Sequence, residues 1–139
     1  MITPLSQDEA RDLLRESRLG RLGCVVDGGP YVVPVNYVFD GENIYIHSLP
    51  GRKVAALRAN PRACLQVDRV VDDYHWQSAI AFGAYGEVTD RTERDRAVAK
   101  LLARFPQLTP VESVPVHDGQ SSVILFRIYV EEVTGVAEK

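Results

Sequence analysis

Apolar positions change their spacing several times along the chain, and each change marks an element. Leu5-Ser6-Gln7-Asp8-Glu9-Ala10 sets Ser6 as an N-cap, Glu9 three residues on as its capping-box partner, and Leu5 with Ala10 as a hydrophobic staple. A helix is therefore expected over about residues 7–18. Ala10, Leu13, Leu14 and Ser17 form its inward stripe, Arg11, Asp12, Arg15 and Glu16 face water, and Gly20 ends it. Beyond Gly20 the runs become β-branched and aromatic. Residues 21–26 and 31–39 flank Asp27-Gly28-Gly29, a hairpin signal, and Asp40-Gly41-Glu42 turns the chain into a third strand over 43–48.

Residues 52–59 read as a short helix with Val54, Ala55 and Leu57 on one side, stopped by Asn60-Pro61. Residues 63–67 and 76–88 return to strand, joined through Asp72-Asp73, and Gly83 and Gly86 suggest bends at barrel corners. Asp90 with Glu93 opens a third helix, striped by Ala97, Val98, Leu101, Leu102 and Phe105 and closed by Pro106. A loop carrying Pro110, Pro115, His117 and Asp118-Gly119 precedes a last strand over 122–130. Six strands and three helices in this order predict one mainly β (α+β) domain over residues 1–139, an antiparallel barrel with peripheral helices.

Composition narrows the class without altering that picture. The chain has 139 residues, 45% of them hydrophobic, and at this length a fold buries roughly two-thirds of the surface of the unfolded chain. A net charge of −3 leaves no electrostatic footprint for nucleic acid or for an anionic membrane surface. There is no basic leader followed by an apolar run, and no apolar run of bilayer length, so a cytoplasmic location is expected. Cys24 and Cys64 stand alone in apolar stretches and read as buried thiols in a reducing compartment. His47, His75 and His117 lack the spacing of a metal helix, so no metal site is expected.

The chemistry concentrates where a strand runs through a tight loop into a helix, at His47-Ser48-Leu49-Pro50-Gly51-Arg52-Lys53. Cations at the positive end of a helix cost about 0.3–1 kcal/mol, so adjacent Arg52 and Lys53 are locally misplaced. A bound phosphate resolves the conflict, because free backbone N–H groups, the Ser48 hydroxyl, an Arg fork and a Lys point charge converge on it. The plainer alternative spreads both side chains into solvent. No Walker sequence and no G-x-G-x-x-G after a strand is present, so the phosphate would belong to a differently held cofactor. Pro34 inside Val33-Pro34-Val35-Asn36-Tyr37 argues for an edge or bulged strand, with Asn36 aimed either at a planar polar ligand or at water. Trp76 shares a strand face with Ser78 and reads first as a core or interface anchor. No Ser-His-Asp or Cys-His signature favours hydrolysis.

Gly20-Arg21-Leu22-Gly23, Tyr31-Val32-Val33-Pro34-Val35-Asn36-Tyr37, Ile44-Tyr45-Ile46-His47-Ser48, Gly51-Arg52-Lys53 and Leu57-Arg58-Ala59-Asn60-Pro61-Arg62-Ala63 together resemble the pyridoxamine 5′-phosphate oxidase-like FMN-binding split barrels. The nearest branch in these motifs is that of the nitroimidazole-resistance-type flavoproteins. The resemblance implies a six-stranded split β-barrel and a homodimer with two flavins at the subunit interface. It places Arg52 and Lys53 on the FMN phosphate, His47 and Ser48 against the flavin and its phosphate arm, and Pro34, Val35 and Asn36 along the isoalloxazine ring. Ser78 falls where the ring's polar edge or the phosphate is contacted, and Trp76 where a partner's cofactor is reached. The implied activity is electron transfer from reduced nicotinamide, NAD(P)H, to a small acceptor. The alternatives are a non-catalytic flavin carrier or sensor, or a barrel holding deazaflavin or haem, the latter with His47, His75 or His117 as axial ligand. The chain ends Val136-Ala137-Glu138-Lys139, without the Arg-Leu-x-Pro ending of true pyridoxamine phosphate oxidases, which argues against vitamin B6 oxidation.

Overall fold

The computed structural model describes residues 1–106 and 123–139. In chain order its elements are β1 (Ile2–Pro4), α1 (Gln7–Glu16), β2 (Leu19–Val26), β3 (Gly29–Asn36), β4 (Val38–Phe39), β5 (Asn43–Ser48), α2 (Arg52–Ala59), β6 (Arg62–Asp72), β7 (His75–Glu87), α3 (Arg91–Arg104) and β8 (Ile124–Glu138). The strands form one antiparallel sheet in the order β3-β2-β6-β7-β8-β5-β4, and β1 pairs with the C-terminal end of β8. The expected loop with Pro110, Pro115, His117 and Asp118-Gly119, together with Ser122, lies outside the described residues.

Asp27 and Gly28 have φ of 51° and 78°, and two positive φ values in succession make the two-residue turn whose twist suits a hairpin. Val26 and Gly29 close that turn, so pairs along β2 and β3 alternate outward from a hydrogen-bonded one. Pro30, opposite Val25, and Pro34, opposite Arg21, then fall where the main-chain nitrogen points away from β2. Among the described residues strand β3 ends the sheet on that side, so each proline omits a donor that no ladder there uses.

The expected six strands become eight among the described residues, and the extra breaks have physical causes. The run over 31–39 divides at Tyr37, which is fully buried and donates its hydroxyl to the Leu14 carbonyl at 2.5 Å. Only beyond it do Val38 and Phe39 pair with Tyr45 and Ile44. Strand β1 spans three residues and depends on its pairing with β8. Strand β8 runs past the expected stop at Val130 to Glu138. Its register shifts so that Phe82 faces Glu132 while Gly83 faces Val130, leaving Glu131 between them. A Cβ on Gly83 would collide with the Tyr129 carbonyl oxygen, which explains why glycine stands at this irregularity.

Helix α1 has the expected capping box, with Glu9 N–H donating to Ser6 Oγ at 3.1 Å and Ser6 N–H to Glu9 Oε1 at 3.0 Å. It ends at Glu16 rather than near Arg18, because Ser17 turns its hydroxyl onto the Leu13 carbonyl and Arg104 of α3 covers the carbonyls that follow. Gly20 is no stop signal. It is buried in β2, where a Cβ would lie 2.9 Å from Leu65 Cδ1. Asp90 caps α3 through Glu93 N–H at 2.9 Å. In α2 the inward set is Val54 and Leu57 with Ala56, while Ala55 is exposed; in α3 Leu102 is exposed and Ala97 and Leu101 are buried. The main core fills the barrel from Leu14, Leu22, Ile44, Ile46, Leu65 and Phe126, and a second cluster of Val38, Tyr45, Val88, Ala97, Leu101 and Leu125 seats α3.

Candidate functional site

Strand β5 ends at Ser48, and Leu49-Pro50-Gly51 delivers the chain into α2. Gly51 provides no side-chain cap, and the first turn of α2 holds no acid, so its leading N–H groups lack the usual partners. Arg52 and Lys53 occupy this turn, and among the described residues no carboxylate pairs with either. The opposite end of the helix is pinned. Arg58 Nε donates to Glu87 Oε1 at 2.5 Å, and Tyr85 donates its hydroxyl to the same oxygen at 2.7 Å. Those two contacts hold the Glu87 carboxyl below its ordinary pKa, the Arg58 bond contributing most.

The two cations are placed by different means. Lys53 is half-buried, and burial draws its ammonium below the ordinary lysine pKa. Arg52 is exposed, with its guanidinium carbon 6.0 Å from the centre of the Tyr31 ring. Lys53 also acts electrostatically on the thiol of Cys24, whose pKa burial pushes up. Tyr31 and Cys24 are register partners facing the core and α2, whereas Pro30, Val32, Cys64 and Phe82 over Gly23 line a groove of about 520 Å³ on the opposite face of the sheet, with no residue of α2 in its lining. Its charged member, Arg62, is paired to Glu131 at 2.6 Å. The result, among the described residues, is a pair of cations without carboxylate partners at an uncapped helix start. Such a helix start suits an anionic group.

The other sequence-predicted residues are spread more widely. Ser48 is 4% exposed and donates its hydroxyl to the Leu49 carbonyl at 2.8 Å; His47, beside it, is half-buried opposite Leu125. Pro34, Val35 and Asn36 lie at the end of β3 remote from its turn. Val35 is buried, Pro34 and Asn36 are exposed, and the Asn36 amide donates to the Arg18 carbonyl at 3.3 Å. Trp76 lines a separate groove of about 240 Å³ with Arg69, Val71 and His75, and shares no lining residue with the first. Ser78, two residues on, accepts from Gln66 Nε2 at 3.1 Å. Within one chain, Arg52 and Lys53 share a site with neither Trp76 nor Ser78. Cys64, expected to be buried, is half-buried with its sulfur over Gly23, where an added Cβ would approach it to 2.8 Å. Among the described residues no group of three or more His, Cys, Asp or Glu side chains could hold a metal, and no helix is long and apolar enough to cross a membrane.

The family model described as pyridoxamine 5′-phosphate oxidase matches residues 6–137. The chain belongs to this family. A Rhizobium meliloti relative, an uncharacterized protein, is 32% identical over 96% of this chain and 93% of its own length. The crystal structure of a FAD-binding protein from Mesorhizobium loti is similar with a TM-score of 0.82 and 32% identity, covering 100% of this chain and 99% of the other. That of a candidate 5-nitroimidazole antibiotic resistance protein from Bacteroides thetaiotaomicron has a TM-score of 0.77 at 19% identity, covering 99% and 87%. The α+β architecture is therefore the split barrel of the pyridoxamine 5′-phosphate oxidase family, as its motifs imply.

Within that family frame, Arg52 and Lys53 stood out in the sequence because two cations at a helix start break a local rule. Tyr31 carried no such mark. Tyr31 reads as one more aromatic in an alternating strand, and only the turn at Asp27-Gly28 brings it back beside Cys24 and under Arg52.

Proposed function

We propose that the chain binds FMN, with Arg52 and Lys53 on its phosphate. The carrying observation is the pair of cations without carboxylate partners, among the described residues, at an uncapped helix start. A phosphate dianion would neutralise both cations and accept from the free N–H groups of the first turn. The similarity to a FAD-binding protein at 32% identity supports a flavin of some kind.

On this reading the protein is a cytoplasmic oxidoreductase passing electrons from reduced nicotinamide, NAD(P)H, to a small acceptor. A bound flavin supplies the hydride and electron chemistry. The residues of the chain bind the phosphate, orient the ring and keep water from one face of it, and none is required to move a proton. A homodimer belongs to the same proposal: Trp76 lines a second groove apart from Arg52 and Lys53, and a twofold copy would bring it, with Ser78 two residues on, to the partner's cofactor.

The absorption spectrum of the purified chain tests this directly. Two flavin bands, or their appearance with added FMN, are expected, followed by nicotinamide oxidation when acceptors are supplied. A Soret band would move the chain to haem binding. A colourless protein that ignores FMN would end the flavin reading, and bound flavin without turnover would leave a carrier.

A further inference from the structure

We infer that Tyr31 is a positioning residue of the phosphate site, holding the Arg52 guanidinium over its ring so that the cation is aimed before any phosphate arrives. This rests on the flavin reading above. Arg52 stands at the first position of α2, exposed, on a long side chain with considerable rotamer freedom to lose on binding. A carboxylate partner would order it but would also neutralise it and compete with the ligand. An aromatic face attracts the cation without cancelling its charge, and leaves the N–H fork free to donate to a phosphate edge.

The geometry favours this division of labour. Tyr31 lies directly opposite Cys24 on the paired strand and packs against the main core, so its ring is fixed by the hairpin rather than by the ligand. The guanidinium carbon is 6.0 Å from the ring centre, at the outer edge of the range in which the attraction acts. Lys53 needs no such support, because burial against the barrel restricts it already. Tyr31 therefore acts through Arg52, and its influence should follow the phosphate rather than the ring of the ligand.

The measurement is the ratio of FMN to riboflavin affinity, read from quenching of flavin fluorescence. Tyr31→Val, which puts another strand-favouring residue at this position, should lower that ratio roughly two- to fivefold. Tyr31→Phe should preserve it, and Tyr31→Trp should hold or raise it. In an Arg52→Ala background, Tyr31→Val should have no further effect on the ratio. An unchanged ratio in Tyr31→Val, an equal loss for both ligands, a drop in Tyr31→Phe or Tyr31→Trp, or a drop that persists without Arg52 would each overturn the assignment. If Tyr31→Val does not fold, the Phe and Trp variants still decide between ring and hydroxyl. A wild-type protein that binds FMN no better than riboflavin would instead remove the phosphate reading beneath it.

Discussion

Arg104, the last residue of α3, donates to the carbonyl of Arg15 at 2.7 Å and so fastens one helix to the end of another. The same guanidinium reaches the carbonyls of Glu16 and, at 2.9 Å, Ser17. A helix leaves its last carbonyls without internal partners, and here a side chain 89 residues away in sequence serves them. Replacing it strands several acceptors at once. Arg104→Met should lower unfolding stability in urea by about 1–3 kcal/mol while leaving the FMN-to-riboflavin ratio unchanged, since Arg52 and Lys53 lie elsewhere. A parallel loss of that ratio would mean that α1 and α3 communicate with the phosphate site.

Lys53 offers a test by pH as well as by substitution. Charge-assisted contacts contribute roughly 1.5–3 kcal/mol, so Lys53→Ala should weaken FMN by about one to two decades and riboflavin hardly at all. Burial depresses the pKa of Lys53 in the folded chain, which makes its charge a cost to folding below that pKa, a cost that fades as pH rises toward the value of the unfolded chain. Removing the side chain should therefore not destabilise the apo-protein at neutral pH. FMN affinity should be full there and should fall on the alkaline side at a lower pH than an ordinary lysine would dictate, with riboflavin flat across the range. Titrating both ligands against wild type and Lys53→Ala reads all of these at once.

Gly83 and Gly86 make a paired prediction. A Cβ at position 83 meets main chain, whereas at position 86 the nearest atoms belong to the Arg127 side chain at 3.7 Å. Gly83→Ala should lose more than about 3 kcal/mol or fail to fold, and Gly86→Ala should stay within about 1 kcal/mol of wild type. Comparable denaturation midpoints for the two would contradict the register assigned around Glu131.

Local rules made part of this molecule readable and long-range contacts hid the rest. The Ser6–Glu9 box, the Asp90 cap and the Asp27-Gly28 turn each depend on residues within four of one another, so their side-chain chemistry states the outcome. The break at Tyr37 depends instead on Leu14, the three-residue β1 on Val136 to Glu138, and the irregularity at Glu131 on the glycine across the ladder. No periodicity announces those partners. At the candidate site the same division holds: Arg52 and Lys53 violate a rule visible in adjacent letters, while Tyr31 acquires its meaning only from a contact across 21 positions of sequence.

The two prolines of β3 set a limit on how copies of this chain can associate. A strand arriving along that border would find every second main-chain donor missing, at Pro30 and at Pro34, and could not stitch itself on. Fusion of neighbouring sheets there into one continuous ribbon is thereby disfavoured, although Val32 is exposed between the prolines. Contact through this border is left to side chains, which can be matched by a specific partner surface and released again, and open-ended stacking is denied its template.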